Sequence, residues 1–308
     1  MAPPPSGTQA VLRRGDDEVV AVEVGGGLRS YTAGGRPVLD GYGRDEACTG
    51  GRGQLLAPWP NRLADGRYRF AGAEHQLALT EPERHNAIHG LVRFSSWTLE
   101  ADEDGLARFS YRLRPQPGWP FALDLVNEYR LDERGLRIET TATNVGEGPS
   151  PYGCGAHPYL RTSSPTIDGL VLRAPAAVRL RTDDRGIPTG EEEATEGTDY
   201  DFTSPRLIGG AVLDTCYRDL AREADGRAVV SLEDPATGEG VELWMDRAYG
   251  FLMLFTGDAL PDEAARRRGL AVEPMTCAPN ALQSGEGLVV IEPGETFTSA
   301  WGISPRRG

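Results

Sequence analysis

The sequence predicts an all-β chain, folded as one large antiparallel sandwich, and three observations carry that prediction. Apolar and polar residues alternate with a period of two in one segment after another. Successive alternating segments are separated by short loops that bear glycine, the signature of hairpins. The 39 glycines and 23 prolines are spread along all 308 residues instead of gathering in one tract, and such even punctuation suits many short strands.

Taken in order, the opening from Met1 to Gly7 has neither a basic start nor an apolar run, so it does not read as a signal peptide. Residues 1–8 are expected to form a flexible lead and 9–308 a single domain. The run Val19-Val20-Ala21-Val22-Glu23-Val24 opens the strands, and Gly66-Arg67-Tyr68-Arg69-Phe70 reads as another. Trp97 to Glu100 and Ala107 to Leu113 flank the turn Asp102-Glu103-Asp104-Gly105. Leu123 to Leu131 and Leu136 to Asn144 flank Asp132-Glu133-Arg134-Gly135, and Val229 to Glu233 and Val241 to Met245 flank Pro235 to Glu239. Helical periodicity is weak; its best candidate is Pro261 to Arg268, after the apolar strand Phe251 to Phe255. There is no fixed-period repeat, heptad or low-complexity linker, and the charge runs Glu191 to Glu193 and Arg266 to Arg268 read as solvated surface.

Composition removes several classes of function. Every one of the 32 basic residues is arginine, which excludes Schiff-base lysine chemistry and the phosphate-reading lysine of a P-loop. A net charge of −14 argues against broad binding to nucleic acid or to an anionic membrane, although a local arginine site stays possible. No stretch approaches the ~20 apolar residues of a membrane-spanning helix. Four cysteines, Cys48, Cys154, Cys216 and Cys277, form no CxxC pair, so free thiols in a cytoplasmic protein are expected and a zinc site is not. The remaining expectations are no cofactor, no metal, a small-molecule partner, and a monomer or weak homodimer.

Reactive side chains collect in five short stretches set among glycine, proline and aromatics, as suits loops and strand ends around a concave pocket. They are Pro58-Trp59-Pro60-Asn61-Arg62, Ala87-Ile88-His89-Gly90-Leu91-Val92-Arg93, Tyr152-Gly153-Cys154-Gly155-Ala156-His157-Pro158-Tyr159, Leu213-Asp214-Thr215-Cys216-Tyr217, and Ala271-Val272-Glu273-Pro274-Met275-Thr276-Cys277-Ala278-Pro279-Asn280. Their order, closed by Glu292-Pro293-Gly294-Glu295 and Trp301-Gly302-Ile303, resembles that of the aldose 1-epimerases, or galactose mutarotases, from about Gly53 to Ile303. The resemblance implies a β-supersandwich of the galactose mutarotase type. It further implies that His157 is the general acid and Glu273 the general base. Arg62 and His89 become substrate contacts, and Asp214 a carboxylate that grips sugar hydroxyls. Leu160 stands where better-known members carry phenylalanine, and the Glu-Pro-Met-Thr-Cys run resembles a bacterial branch.

These residue types suit mutarotation. A base takes the anomeric hydroxyl proton while an acid protonates the ring oxygen; the ring opens, C1 rotates, and reclosure exchanges the anomers. At ordinary values of ~4.3 and ~6.5 a glutamate is charged near neutrality and a histidine holds or releases a proton. Arg62 donates to hydroxyl oxygens and Asp214 accepts from hydroxyls, although the two could instead form a buried salt bridge. Trp59 or Tyr159 could offer a flat face to the sugar or pack in the core, and Cys216 and Cys277 could line the pocket. His75 and His85 read as ordinary surface or strand residues. Three alternatives stay open: a hexose-6-phosphate 1-epimerase with Arg93 or Arg52 as extra cations, a glycoside hydrolase using Asp214 and Glu273, and a non-catalytic carbohydrate-binding sandwich.

Overall fold

The computed structural model describes residues 3–306. Among these residues two large antiparallel sheets account for most of the strands. The three hairpins read from the sequence are present: Thr98–Glu103 with Leu106–Leu113, Leu123–Asp132 with Gly135–Asn144, and Ala228–Glu233 with Gly240–Met245. In Leu123–Asp132 every second residue, from Leu123 to Leu131, is buried, as period-two alternation demands of a strand with one face on the core. The strand Thr296–Arg306 enters between Gly135–Asn144 and Gly240–Met245 and so ties the end of the chain into the middle of the nine-stranded sheet.

The eight-stranded sheet carries the site. Its order runs Pro188–Ala194, Ala176–Thr182, Asp214–Leu220, Phe251–Phe255, Leu270–Met275, Gly155–Ala156, Leu55–Leu56, with Tyr159–Leu160 also on Leu270–Met275. Leu270–Met275 is buried at all six positions, which explains why its sequence is nearly continuous apolar without alternation. One contiguous cluster of buried apolar side chains draws on both sheets, including Leu123, Leu125, Tyr129 and Ile138 from one and Leu252, Leu254, Leu270 and Val272 from the other.

Two expectations, the helix and the pocket-lining cysteines, are corrected by packing, and the choice left open for Trp59 falls to the core. Pro261 to Arg268 is not a helix; it holds only a 3₁₀ turn at Glu263–Ala265, and the one α-helical turn among the described residues is Ala281–Ser284. Arg266 is extended at the end of that turn and Arg267 takes a positive φ of 57°, so local helix formers are overruled. The three guanidiniums there are anchored separately: Arg266 on the Leu260 carbonyl, Arg267 on Asp168 and Asp258, Arg268 on Asp40. Trp59 packs in the core against Trp119, and Cys216 and Cys277 are buried away from the pocket wall, because these apolar groups gain more from the core than from a wet cavity.

Of the expected N-terminal lead, Met1 and Ala2 lie outside the described residues. In the rest, Ser6 is buried, its carbonyl accepts from Val24 N–H, and Thr8 O accepts from Glu23 N–H. No helix among the described residues is long and apolar enough to cross a membrane.

Candidate active site

Strand register brings His157 and Glu273 together. Gly155 pairs with Met275 and Tyr159 with Ala271, so residue 157 falls opposite residue 273. Pro158 cannot donate a ladder hydrogen bond, and between the two short strands the chain steps out of regular pairing. His157 Nε2 lies 3.4 Å from Glu273 Oε1, and both side chains are buried. The imidazole stacks on Tyr159, 5.0 Å between ring centroids, and the Tyr159 hydroxyl donates to the Gly50 carbonyl. A Cβ on Gly51 would stand 2.9 Å from His157 Cδ2, so only glycine leaves the imidazole its place.

His89 and Arg62 come from a small neighbouring ladder. Arg62 pairs with Ile88, which sets His89 just beyond the strand. Asn61 N–H donates to His89 Nδ1 at 3.2 Å, and His89 N–H returns to the Asn61 carbonyl. This leaves Nε2 to carry the proton of the neutral ring. Its centroid lies 5.4 Å from that of His157.

Arg62 meets Glu81 first, donating from Nε at 3.0 Å, while Asp214 Oδ2 is 3.8 Å from its Nη1. The buried salt bridge considered for Arg62 and Asp214 is therefore made chiefly by Glu81, a residue that the sequence reading did not single out. Asp214 opens the strand Asp214–Leu220, has a side chain 42% exposed, and lies 4.0 Å from Arg84 Nη1. All five expected site residues line one cavity of about 530 Å³, within the ~300–1,000 Å³ of small-molecule sites. Gly50, Gly51, Thr80, Glu81, Arg84 and Leu260 complete much of its wall. His75 and His85 lie elsewhere, His75 against Tyr68 and His85 paired with Asp65.

Burial overturns the ordinary pKa values expected for the acid and base. It pushes the Glu273 carboxyl well above the carboxylate range, helped by Asp214 and opposed by Arg62. It also pulls the His157 imidazole down to about 3, with Arg93 and Arg52 adding to the fall. His89 is lowered for the same reason, burial first and then Arg93. A low-dielectric pocket penalises each charge by itself. A proton shared by the pair thus favours the carboxyl, and Glu273 Oε2 has no hydrogen-bond partner among the described residues. An unfilled buried acceptor of this kind costs about 1–3 kcal/mol and is a natural mate for a ligand hydroxyl.

His89, His157 and Glu273 offer ligand atoms that all lie within 4.8 Å of one another, a donor set that suits a divalent transition metal as well as a sugar.

Comparison with known proteins gives one answer by three routes. The family model for aldose 1-epimerase matches residues 9–304. An uncharacterized protein of Escherichia coli K12, YihR, is 32% identical over 98% of this chain and 94% of its own length. Human galactose mutarotase is 30% identical over a segment spanning 51% of this chain and 46% of its own. Among solved structures, the GalM/aldose epimerase homologue from C. elegans superposes with a TM-score of 0.86 at 17% identity, covering 97% of this chain and 99% of the other. At that identity the likeness speaks for the fold alone.

Proposed function

The chain belongs to the aldose 1-epimerase family, and on that footing we propose that it interconverts the α and β anomers of an aldohexose with a free anomeric hydroxyl. The observation that carries this reading is the 3.4 Å approach of His157 Nε2 to Glu273 Oε1 inside a cavity that fits a small molecule. The two oxygens that must exchange protons are both bonded to C1, so an acid and a base this close serve them together.

In the proposed cycle the anomeric hydroxyl donates to Glu273, and that hydrogen bond, with Arg62 nearby, favours the ionised carboxyl. The displaced proton resides on His157. The carboxylate then takes the anomeric proton while the imidazolium gives its proton to the ring oxygen, and the C1–O bond breaks to an open aldehyde. Glu273 is now protonated and His157 neutral, which is the state burial prefers. After rotation about C1–C2 the protons return, the ring closes on the other face of the aldehyde, and the pair recovers its starting charges. Arg62 and Asp214 hold ring hydroxyls, and His89 Nε2–H donates to a sugar oxygen. The four free cysteines, three of them buried, support a reducing, cytoplasmic setting.

Polarimetry of freshly dissolved α-D-glucose and α-D-galactose tests the proposal. Protein should speed the approach to the ordinary final rotation without a new product, and a chelator should leave the rate unchanged. Release of an aglycone from a nitrophenyl glycoside, or binding without acceleration, would overturn it; inhibition by chelator relieved by added metal would show that a cation takes part, with His89, His157 and Glu273 as its candidate ligands.

A further inference from the structure

Three arginines line the cavity, and one of them has no counter-charge. Arg62 is held by Glu81 and Asp214, and Arg84 lies beside Asp214. Arg93 has no carboxylate partner among the described residues. It donates from Nη1 to Gln54 Oε1 at 3.3 Å and from Nη2 to the Ile88 carbonyl at 3.4 Å, both neutral and both long. Its guanidinium lies 5.1 Å over the ring of Phe94, itself 71% exposed. Arg52, the other candidate cation, does not line the cavity; it is buried over the Tyr159 ring and bound to Asp40. A largely buried guanidinium with neutral partners is costly unless an anion joins it.

The position of Arg93 matters as much as its charge. Arg93 donates to the carbonyl of Ile88, the residue before His89, whereas Asp214 stands by Arg62 and Arg84, and all four line the same cavity as the His157–Glu273 pair. A pyranose whose C1 oxygens meet that pair has ring hydroxyls to offer one end and another substituent to offer Arg93.

We infer that the substrate is an aldohexose bearing one negative charge, a carboxylate or sulfonate on its exocyclic carbon, and that Arg93 is the group that reads it. This deepens the mutarotase reading and rests on it. One guanidinium neutralises one charge. A phosphate monoester carries about −1.5 to −2 at pH 7, and its second charge would meet only neutral groups here. Cys48 beside Arg93 is raised to about 11 by burial, so it does not cancel the arginine near neutrality. The net charge of −14 does not prevent such binding, since at physiological salt its reach is only ~8 Å.

The test measures anomer exchange by NMR for glucose, glucuronate, the C6 sulfonate of glucose and glucose 6-phosphate. At least one monoanion should exceed glucose and the phosphate in kcat/KM by ~10-fold or more, the worth of a charge-assisted hydrogen bond. The gain should come through KM and shrink with added salt. In Arg93→Gln, checked for folding by circular dichroism, the preference should fall to near unity. Glucose or the phosphate turned over best overturns this inference and leaves the mutarotase reading standing, as does a preference that survives in folded Arg93→Gln. Exchange accelerated for none of the four overturns the mutarotase reading and this inference together. If the variant does not fold, the wild-type preference and its salt dependence decide the matter.

Discussion

At the scale of the residue, the site is a conflict between burial and charge. Burial favours the protonated form of Glu273, so wild-type stability contributed by that group is present below the ordinary carboxyl value and is lost as pH rises through the raised one. Glu273→Gln removes both the base and this liability. Its kcat should fall by ~10²-fold or more, while its Tm at pH 8 matches or exceeds that of wild type. An active Gln variant would take the base role from Glu273, and one that melts well below wild type would contradict the burial argument. His157→Asn should likewise cost kcat more than sugar affinity, and loss in KM alone would make it a binding residue. The pH profile follows from the same shifts. The reactive pair needs one proton, which it keeps between the depressed His157 titration at about 3 and the raised Glu273 titration. Accordingly kcat/KM should show no acid limb near ~6.5, the ordinary histidine value, and should decline on the alkaline side. A fall on acidification through that value would contradict the burial argument.

At the scale of the element, short strands and turns place the groups that long strands cannot. Gly90 follows His89 with a φ of +72°, and a Cβ there would stand 1.9 Å from the Ala57 carbonyl. His89 itself is left-handed at φ 63°, and so is Asn61 at 55°, so this ladder end bends sharply to present an imidazole and a guanidinium together. Gly90→Ala should therefore destabilise the protein by about 1–3 kcal/mol from strain, with the clash added, and should raise KM through His89. Thermal melting with Michaelis kinetics checks this, and an unchanged Tm would mean that the turn is not strained by a side chain. The hairpins were legible because each alternates and ends in its own glycine loop. The absent helix was not, since Arg267 and Arg268 are drawn to Asp168 and Asp40, which lie far off in the chain. Glu81 escaped notice for a related reason: nothing in Thr-Glu-Pro-Glu-Arg marks the second residue as the partner of Arg62.

At the scale of the whole molecule, the terminal strand Thr296–Arg306 closes the nine-stranded sheet between elements from the two halves of the chain, and the eight-stranded sheet shares its core. The wholly buried strand Leu270–Met275 is the beam from which Glu273 faces the cavity. What the sequence by itself determined was the fold class, the hairpins, and the five residues that now share a cavity, because strand periodicity and turn chemistry are local and because the order of the motifs resembles a known family. What only the tertiary structure decided was which charge each group meets: Glu81 on Arg62, Asp40 on Arg52, none among the described residues on Arg93, and the burial of His157 and Glu273 side by side. Pairing and desolvation depend on distances between remote segments, and those distances exist only once the sheets have packed.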